Sequence, residues 1–472
     1  MKKKEKKSVC IVFPRYILHN YGPPLGALYI CSVLKEKGYH VTFIDGTVTS
    51  YEKTIEQLKQ NKPDILNLSI QTVFADFAFQ LAKDYRKINR NAIIIAGGPH
   101  ASILPKQTLA EKGIDFVVVG EGEETLPDLL SNIKDPKKVK GIGFRKNNKH
   151  FFTESREPIK DLDKIPFPAR DMLHDNYFRT GSTSIITSRG CPFNCAFCQP
   201  TLRKIFGPKF RMRTVKNVID EIKDIKKTFM KKNRELKSLH FTDDGLTYNH
   251  KWLKNLGQEI IKQKLDITWT ANTRADTMPE IGLLRLLKKS GLTKFSIGVE
   301  SGDPYIRNEI LKKNVSQEKL IKAFDLCHEA GIKTHAYLMV GSPEETHESI
   351  LATVKLLDRI RPDDTQVTIT SPLPETYLYY HAKEKDIMKV KRWSDFAYYE
   401  ESHLELKNFT KDDIKKLQKA IHYTIFLHRN MKKRGIDTRY SSLFSILKNP
   451  IVNTSLRGLD KARLHAKKAL RR

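Results

Sequence analysis

Short aliphatic runs alternate with amphipathic stretches along the first third of the chain. Continuous apolar runs separated by amphipathic segments are typical of parallel strands whose sheet is covered by helices on both faces. The pattern therefore predicts an α/β domain with a parallel, Rossmann-like sheet. Its predicted strands span residues 9–13, 40–45, 64–70, 92–96 and 115–119.

A second pattern begins near residue 183, where a strand followed by a helix repeats six times. Regular strand-then-helix units predict a parallel barrel or part of one, with functional residues on the loops that follow the strands. Its predicted strands span residues 183–188, 237–242, 267–272, 294–299, 334–340 and 365–370. We therefore expect four regions: an α/β domain (1–150), a linker (151–180), a partial (β/α)6 barrel (181–375) and a helical, basic end (376–472).

Small residues follow three neighbouring strands of the first domain. Ligands of parallel α/β sheets bind beyond the carboxyl ends of the strands, and glycine removes side chains that would hold a ligand away from the backbone. Ordinary tight turns are the alternative, although they account more easily for one glycine pair than for all of them. We predict that a large flat ligand lies against Ser69, Gly97, Gly98, Gly120, Glu121 and Gly122.

Three cysteines, Cys191, Cys195 and Cys198, follow the first predicted barrel strand with the spacing Cys-x3-Cys-x2-Cys. A 4Fe-4S cluster takes four ligands, so a loop that supplies three thiolates leaves one iron open to a group from outside the protein. Structural zinc is the weaker alternative because it takes four Cys or His ligands and no histidine lies within this loop. A disulfide is weaker still, since the other cysteines are scattered and Pro14-Arg15 interrupts any secretory signal. We therefore expect an iron–sulfur protein of the cytoplasm.

Several motifs occur in an order that resembles the cobalamin-binding-domain radical S-adenosylmethionine (SAM) enzymes. They are Gly22-Pro23-Pro24-Leu25-Gly26, Gly-Gly-Pro-His at 97–100, Gly-Glu-Gly-Glu at 120–123 and the three-cysteine loop. The resemblance covers about residues 8–380 and implies a flavodoxin-like cobalamin domain ahead of the partial barrel, with a 4Fe-4S cluster, SAM and cobalamin as cofactors. No Asp-x-His-x-x-Gly follows the first strand, and His19 has the wrong neighbours for it. We therefore expect cobalamin to bind without a histidine below the cobalt.

The loops after the second and third barrel strands carry charged groups that suit SAM. Asp244 is expected to pair with the amino group of SAM, and Arg274 to hold its carboxylate in a bidentate fork. For Asp243, Asp244 and Arg274, the alternative is a structural ion pair across the mouth of the barrel.

The remaining predicted SAM contacts lie in the cysteine loop and after the fourth barrel strand. The ribose hydroxyls would bond to Glu300 or Ser301 in a motif that begins at Gly298. Phe197, between the second and third cysteines, is placed to shield the cluster and to touch adenine.

Enzymes with these motifs cleave SAM reductively to a 5'-deoxyadenosyl radical, which abstracts hydrogen from unactivated carbon. The resemblance implies methylation of such a carbon in a lipid, isoprenoid or natural product, with an electron donor such as flavodoxin or ferredoxin. The same motifs are compatible with radical cyclisation, ring contraction or oxidation of a tetrapyrrole or lipid without methyl transfer. A cobalamin carrier or sensor with a vestigial barrel is disfavoured, because the cluster loop and the strand-end motifs are intact.

The chain of 472 residues carries a formal net charge of +30. Such a surplus favours anionic partners such as nucleic acid or lipid headgroups, although a lysine-rich surface explains it equally well. RNA modification is disfavoured because methylthiolating radical enzymes hold a second cluster on three more cysteines, and only Cys10 and Cys31 precede the barrel here. We therefore do not expect nucleic acid as the partner.

The positive charge is concentrated at the end of the chain, where residues 401–472 hold 18 Lys and Arg against 6 Asp and Glu. Residues 412–430 predict an amphipathic helix that packs on the barrel. A basic end follows, for which contact with an anionic membrane surface, RNA binding and simple solvation are equal alternatives. The apolar helix positions are Ile414, Leu417, Ile421, Ile425 and Leu427; the basic end comprises Lys432-Lys433-Arg434, Arg457 and 461–472, with turns at Gly435 and Pro450.

Overall fold

The computed structural model describes residues 7–16, 22–147, 149–397, 401–433 and 438–440. Several predictions lie outside the described residues: His19, Gly435, Pro450, and the basic end at Arg434, Arg457 and 461–472, together with the side chains of Lys432 and Lys433. Within the described ranges, no helix combines the length and the apolar character that crossing a membrane requires.

A parallel sheet with an antiparallel edge makes up the amino-terminal part of the fold. Its strands are β1 (Ser8–Phe13), β2 (His40–Asp45), β3 (Ile65–Ser69), β4 (Ile93–Gly97), β5 (Phe116–Val118), β6 (Ile142–Lys146) and β7 (Lys149–Phe152). Its helices are α1 (Leu25–Glu36), α2 (Tyr51–Asn61), α3 (Ala75–Ile88), α4 (Pro99–Ile103), α5 (Pro105–Ala110) and α6 (Gly122–Ser131). The strand order is β2-β1-β3-β4-β5-β6-β7, and β1 to β5 are parallel as predicted.

The hairpin of β6 and β7 extends this sheet in a way that the sequence did not predict. Both strands pair antiparallel at the edge. Every residue of β7 is exposed, so this strand lacks the alternation of buried and exposed positions that identifies a strand in a sequence.

An open, parallel half-barrel forms the second part of the fold. Its sheet has the order β15-β14-β13-β12-β11-β8, and each of the predicted barrel strands is present. The strands from here on are β8 (Ser182–Ile185), β9 (Ser188–Arg189), β10 (Arg211–Met212), β11 (Ser238–Phe241), β12 (Thr268–Arg274), β13 (Leu292–Glu300), β14 (Lys333–Val340) and β15 (Asp364–Ile369). The helices are α7 (Thr201–Phe206), α8 (Val215–Lys231), α9 (His250–Lys262), α10 (Ile281–Lys289), α11 (Gln317–Glu329), α12 (His347–Ile360), α13 (Tyr377–Glu384) and α14 (Lys411–Lys433).

Alternate residues of the barrel strands form one core with the surrounding helices. Trp269 and Ala271 of β12 and Phe295 and Ile297 of β13 are fully buried in it. This period of two is the pattern of a sheet that is packed against helices on its outer face. It leaves the intervening residues of each strand to line the inner face of the half-barrel.

Helix α14 packs on this core, which confirms the prediction for residues 412–430. Four of its predicted apolar side chains belong to the barrel core: Ile414, Leu417, Ile421 and Ile425. Leu427 is half-buried. The helix packs against β15, the last strand of the barrel sheet along the chain.

The segment between the two sheets is packed rather than free. Ile159, Leu162 and Phe178 are buried in the barrel core, so residues 151–180 are not the linker that the sequence predicted. The boundary expected at residue 150 also falls within β7. Irregular turns space these apolar residues unevenly, and uneven spacing hides their burial in a sequence.

A buried charge network fastens this segment to the barrel. Arg170 Nη1 lies 2.7 Å from Glu221 Oε1 on α8, and Arg213 pairs with the other oxygen of the same carboxylate. Arg170 also donates to the carbonyl of Ser184 over 2.8 Å. Glu221 is fully buried, and in the described part of the chain its charge is paired with these two guanidinium groups.

Replacing Glu221 with Gln should destabilise the fold, because it leaves two buried guanidinium groups without their carboxylate. We expect a loss of about 3–5 kcal/mol, measured by chemical denaturation. Asp220→Asn on the same helix is the matched control, since Asp220 pairs with Lys216 at the surface, and it should change stability by less than about 0.5 kcal/mol. Equal effects of the two substitutions would contradict the assigned role of Glu221.

Candidate active site

One cavity of about 1330 Å³, counting its open mouth, lies where the carboxyl ends of the two sheets meet. Helix α7 closes one side of it with Leu202, Ile205 and Phe206. Both sheets contribute to the cavity, which therefore belongs to both halves of the chain. The lining includes Ser69, Gly97, Gly98, Gly120, Glu121 and Gly122 from the first sheet, and Thr242, Asp243 and Asp244 from the barrel.

The glycines of this lining serve two different purposes. A Cβ on Gly97 would have Val118 Cβ, 3.9 Å away, as its nearest neighbour, so this glycine leaves open space in the cavity. Gly98 has a φ of +87°, and a Cβ there would lie 2.9 Å from the backbone nitrogen of Ile70. The backbone itself thus requires glycine at position 98, whatever ligand the cavity takes.

The Gly-Glu-Gly-Glu motif is tied to the barrel by buried ion pairs. Glu121 accepts hydrogen bonds from Arg189 over 2.6 Å and from Arg211 over 2.9 Å. Glu123 accepts one from the same Arg189 over 2.5 Å. The two arginines are themselves register partners in the short antiparallel ladder of β9 and β10. The carboxylate of Glu121 therefore joins the first domain to the strand that leads into the cysteine loop.

The cysteine loop is held by backbone hydrogen bonds to distant parts of the barrel. Ala196 donates to the carbonyl of Leu311 over 2.8 Å, and Leu378 donates to the carbonyl of Ala196 over 2.9 Å. Phe197, between the last two cysteines, packs against an apolar cluster of Ile306, Leu311 and Met339. The loop is therefore fixed by the segment after β13 and by the start of α13.

The three loop cysteines are free thiols. Cys195 is buried, whereas Cys191 and Cys198 are half-buried by surface area. Burial is the main cause that raises the pKa of Cys191 and of Cys198. Their thiolate forms therefore need a compensating positive charge, which a bound metal provides.

Arg274, at the end of β12, contacts the cysteine loop directly. Its Nη1 donates to Cys195 Sγ over 3.1 Å, and Asp276 takes both Nε and Nη2 in a bidentate pair at 2.9 Å each. Burial lowers the pKa of Arg274, but the bonds to Asp276 and Cys195 raise it overall. The edge of the guanidinium predicted to hold the SAM carboxylate is thus bonded to Asp276, and the alternative, an ion pair of Arg274 with Asp243 or Asp244 across the barrel mouth, is not formed among the described residues.

Two neighbouring carboxylates face the cavity after β11. Asp243 is buried and accepts from the backbone and hydroxyl of Thr187 over 2.8 and 2.9 Å through one oxygen. Its other oxygen has no hydrogen-bond partner among the described residues. Asp244 is solvent-accessible, but the surface it exposes lines the cavity rather than the outside of the protein. Burial by surrounding atoms, and then the charge of Asp243, raise the pKa of Asp244 to about 6.

The motif after β13 is held by a buried ion pair that the sequence did not predict. Lys313 Nζ lies 2.6 Å from Glu300 Oε1, and it also crowds the position that a side chain at Gly298 would take. Glu300 has a φ of +63°, a conformation that few residues other than glycine adopt. Ser301 is fully buried, and its hydroxyl lies 3.3 Å from that of Thr353. Ser301 and Glu300 are therefore both engaged in contacts within the protein.

Comparisons with known proteins agree with this two-part architecture. The B12 binding domain model matches residues 18–130, and the Radical SAM superfamily model matches residues 185–357. The uncharacterized methyltransferase PH0819 of Pyrococcus horikoshii is 31% identical over 415 residues, which are 86% of this chain and 88% of the relative. This chain belongs to the cobalamin-binding radical SAM enzymes. It uses a 4Fe-4S cluster, SAM and cobalamin.

A second curated relative and a solved structure are also similar to this chain. The anaerobic magnesium-protoporphyrin IX monomethyl ester cyclase of Rubrivivax gelatinosus is 28% identical over 382 residues, or 77% of this chain and 67% of the cyclase. The methyltransferase TsrM of Kitasatospora setae, solved with tryptophan substrate and a SAM analog, has a TM-score of 0.68 and 18% identity, covering 82% of this chain and 78% of TsrM. At that identity the likeness to TsrM shows a shared fold.

The cysteine loop of this radical SAM enzyme fits a 4Fe-4S cluster. In the part of the chain that the structure describes, no three His, Cys, Asp or Glu side chains converge on a single metal ion. A cubane cluster requires no such convergence, because each cysteine binds a different iron. Arg274 places a positive charge beside Cys195 Sγ, and this charge stabilises the thiolate form that binds iron.

The cavity of the enzyme likewise fits a corrin. Gly26 and Gly97 leave its walls free of side chains. Asn67 of β3 lies in the lining and is 5% exposed, and its Oδ1 has no hydrogen-bond partner within the described ranges. A polar amide without a partner among glycines and aliphatic side chains suits a large ligand that carries its own amide groups.

Sequence reasoning missed several residues that shape this site. Asp276 follows Arg274 by two positions, and that spacing is a signal that could have been used. Lys313, Arg189 and Arg211 offered no signal, because a lysine or arginine is ordinarily exposed. Only the folded chain brings these cations to buried carboxylates.

Gly26→Leu should reduce cobalamin binding while leaving the cluster intact. Gly26 is the second residue of α1 and lines the cavity, and no heavy atom lies within 4 Å of an added Cβ. We expect bound cobalamin to fall at least about tenfold, with the iron content unchanged, in the anaerobically reconstituted enzyme.

Gly282→Leu is the matched control for this prediction. Gly282 is also the second residue of a helix, α10, and it also has open space around it, but it lies outside the cavity lining. Leucine has a higher helix propensity than glycine, so neither substitution should weaken its helix. Equal cobalamin content in the two variants would contradict the placement of the corrin.

The loop after β14 contains a buried acid that should make stability depend on pH. Glu345 accepts from the backbone of Gly341 over 2.6 Å, and burial is the main cause that raises its pKa from 4.5 to about 8. The folded state therefore holds a proton that the unfolded state releases above pH 4.5. The stabilisation from this proton is complete below that pH and is lost as the pH rises to about 8.

Glu345→Gln should remove this dependence. Relative to wild type, the variant should gain roughly 1 kcal/mol for each pH unit within this window, measured by thermal unfolding at pH 6 and 8. Glu344→Gln, at the exposed neighbouring position, should show no such trend. A parallel trend in the wild type and the Glu345 variant would show that Glu345 does not titrate in this range.

Proposed function

We propose that this enzyme transfers a methyl group from SAM to an unactivated carbon of a lipid, isoprenoid or natural-product substrate. The observation that carries this proposal is the shared cavity, since Gly97 of the first sheet and Asp244 of the barrel line the same space. A corrin that lies against the first sheet would therefore face the groups that we assign to SAM. The name of the Pyrococcus relative, a methyltransferase, supports this outcome.

The ligand assignments of the proposal follow the geometry of the site. Cys191, Cys195 and Cys198 hold the cluster. When bound, the cofactors supply abstraction of hydrogen from unactivated carbon and delivery of a methyl group. The protein positions the cofactors and excludes water with apolar side chains of the cavity wall, such as Ile205 and Phe206 of α7. The corrin lies against Ser69, Gly97, Gly98, Gly120 and Gly122, with Glu121 at its edge.

The chain's own residues would orient SAM at the mouth of the barrel. Asp244 has a pKa of about 6 and is mostly ionised at neutral pH, so its carboxylate can accept a hydrogen bond from the amino group. Lys313 fixes Glu300, whose carboxylate would accept from a ribose hydroxyl. Phe197 provides an apolar face for adenine beside Gly298.

The partners of the enzyme follow from its charge. We propose that a small acidic protein such as flavodoxin or ferredoxin delivers the electron, since a net charge of +30 attracts acidic proteins. Contact of the basic carboxyl-terminal end with an anionic membrane would bring a cytoplasmic enzyme close to a lipid substrate.

Methyl-deuterated SAM tests the proposal. The enzyme is reconstituted anaerobically with cobalamin and a reductant and incubated with cell extract, and products are followed by mass spectrometry. We expect a deuterated methyl group in one product, together with 5'-deoxyadenosine and demethylated SAM. Cys195→Ala should yield no 5'-deoxyadenosine and no deuterated product beyond those that the extract forms alone, because it removes a cluster ligand.

Formation of 5'-deoxyadenosine without transfer of the label would contradict methyl transfer. It would favour the second candidate, a radical cyclisation, ring contraction or oxidation, which the likeness to the Rubrivivax cyclase supports. Absence of 5'-deoxyadenosine from the reconstituted enzyme would contradict both candidates.

A further inference from the structure

The guanidinium of Arg274 has almost no free hydrogen-bonding capacity. Besides the contacts to Cys195 and Asp276, its Nη2 donates to the carbonyl of Lys313 over 2.8 Å. An arginine has five N–H donors, and four of them are engaged in these contacts. A bidentate fork needs two parallel N–H groups on one edge, and a single N–H on Nη1 cannot provide it.

The ring of Phe193 also covers one face of the Arg274 guanidinium. The face of Phe193, two residues after Cys191, lies 3.7 Å from the guanidinium carbon. Arg274 is 8% exposed, so movement toward a ligand would break charge-assisted bonds to Asp276 in a place that water barely reaches. Among the described residues, its one hydrogen bond to the cysteine loop is the bond to Cys195 Sγ.

We infer that Arg274 acts on the iron–sulfur cluster rather than on the carboxylate of SAM, and that it raises the cluster's reduction potential through Cys195. This inference rests on the proposed function, in which Cys195 is a cluster ligand. Reduction adds negative charge to the cluster, and a cationic donor on a ligand sulfur stabilises that charge. Asp276 and Phe193 hold Arg274 in place and so position this donor.

The test is the midpoint potential of the cluster in the reconstituted holoenzyme without SAM, measured by EPR-monitored potentiometry. Arg274→Gln should make reduction at least tenfold less favourable, which is a shift of about 59 mV to lower potential for one electron. Arg285→Gln is the charge-matched control, because Arg285 pairs with Glu329 at the surface. Its potential should equal that of the wild type.

SAM binding separates the inference from the contact that the sequence predicted. An unchanged potential in Arg274→Gln, with SAM affinity reduced tenfold or more, would overturn the inference. It would instead support the predicted bidentate contact between Arg274 and the carboxylate of SAM. Arg274→Met also removes the charge beside Cys195 and serves if the Gln variant does not load its cluster. It should also lower the potential, because methionine offers Cys195 no cationic donor, and a wild-type potential would again overturn the inference.

The iron content of Cys195→Ala distinguishes failure of the inference from failure of the proposed function. A full cluster in that variant would show that Cys195 is not a ligand. It would contradict both the inference on Arg274 and the proposed function. A lost cluster in Cys195→Ala, combined with an unchanged potential in both Arg274 variants, would overturn the role of Arg274 alone.

Discussion

The site depends on a buried meeting of charges between the two halves of the chain. Glu121 and Glu123 begin α6, at its N-cap and first turn, and both accept from Arg189, which lies two residues before Cys191. Arg211 completes the network from the opposite strand of the ladder. Buried ion pairs contribute orientation more than net stability, because desolvation offsets most of their attraction. Here they set the position of the cysteine loop relative to the first sheet.

The cavity between the halves shows how one residue type can serve two constraints. Gly26 and Gly97 leave space, whereas Gly98 permits a close approach to the backbone of Ile70. Both kinds of glycine occur within one motif at the end of β4 and look alike in the sequence. The distinction matters for the site, because a side chain at 97 would affect the ligand and one at 98 would affect the fold.

The predicted SAM residues lie where the strand-end rule expects them, but several are bonded within the protein. The rule concerns position, since the carboxyl ends of parallel strands meet at one edge of a sheet. It does not determine what each side chain bonds to. Arg274 pairs with Asp276, Glu300 with Lys313 and Ser301 with Thr353, so the site is stabilised before any ligand is considered.

The sequence by itself determined the two sheets, the position of the cysteine loop and the set of small residues around the cavity. These features have local causes: the period of apolar residues, the spacing of cysteines and the absence of a side chain. It did not reveal the hairpin of β6 and β7 or the packing of residues 151–180. The distant partners of the charged residues were decided by tertiary structure alone. Arg274 meets the Lys313 carbonyl across 39 positions, and Arg189 meets Glu121 across 68. A charged side chain carries no local mark of its partner, because the pairing exists only after both strands have been placed.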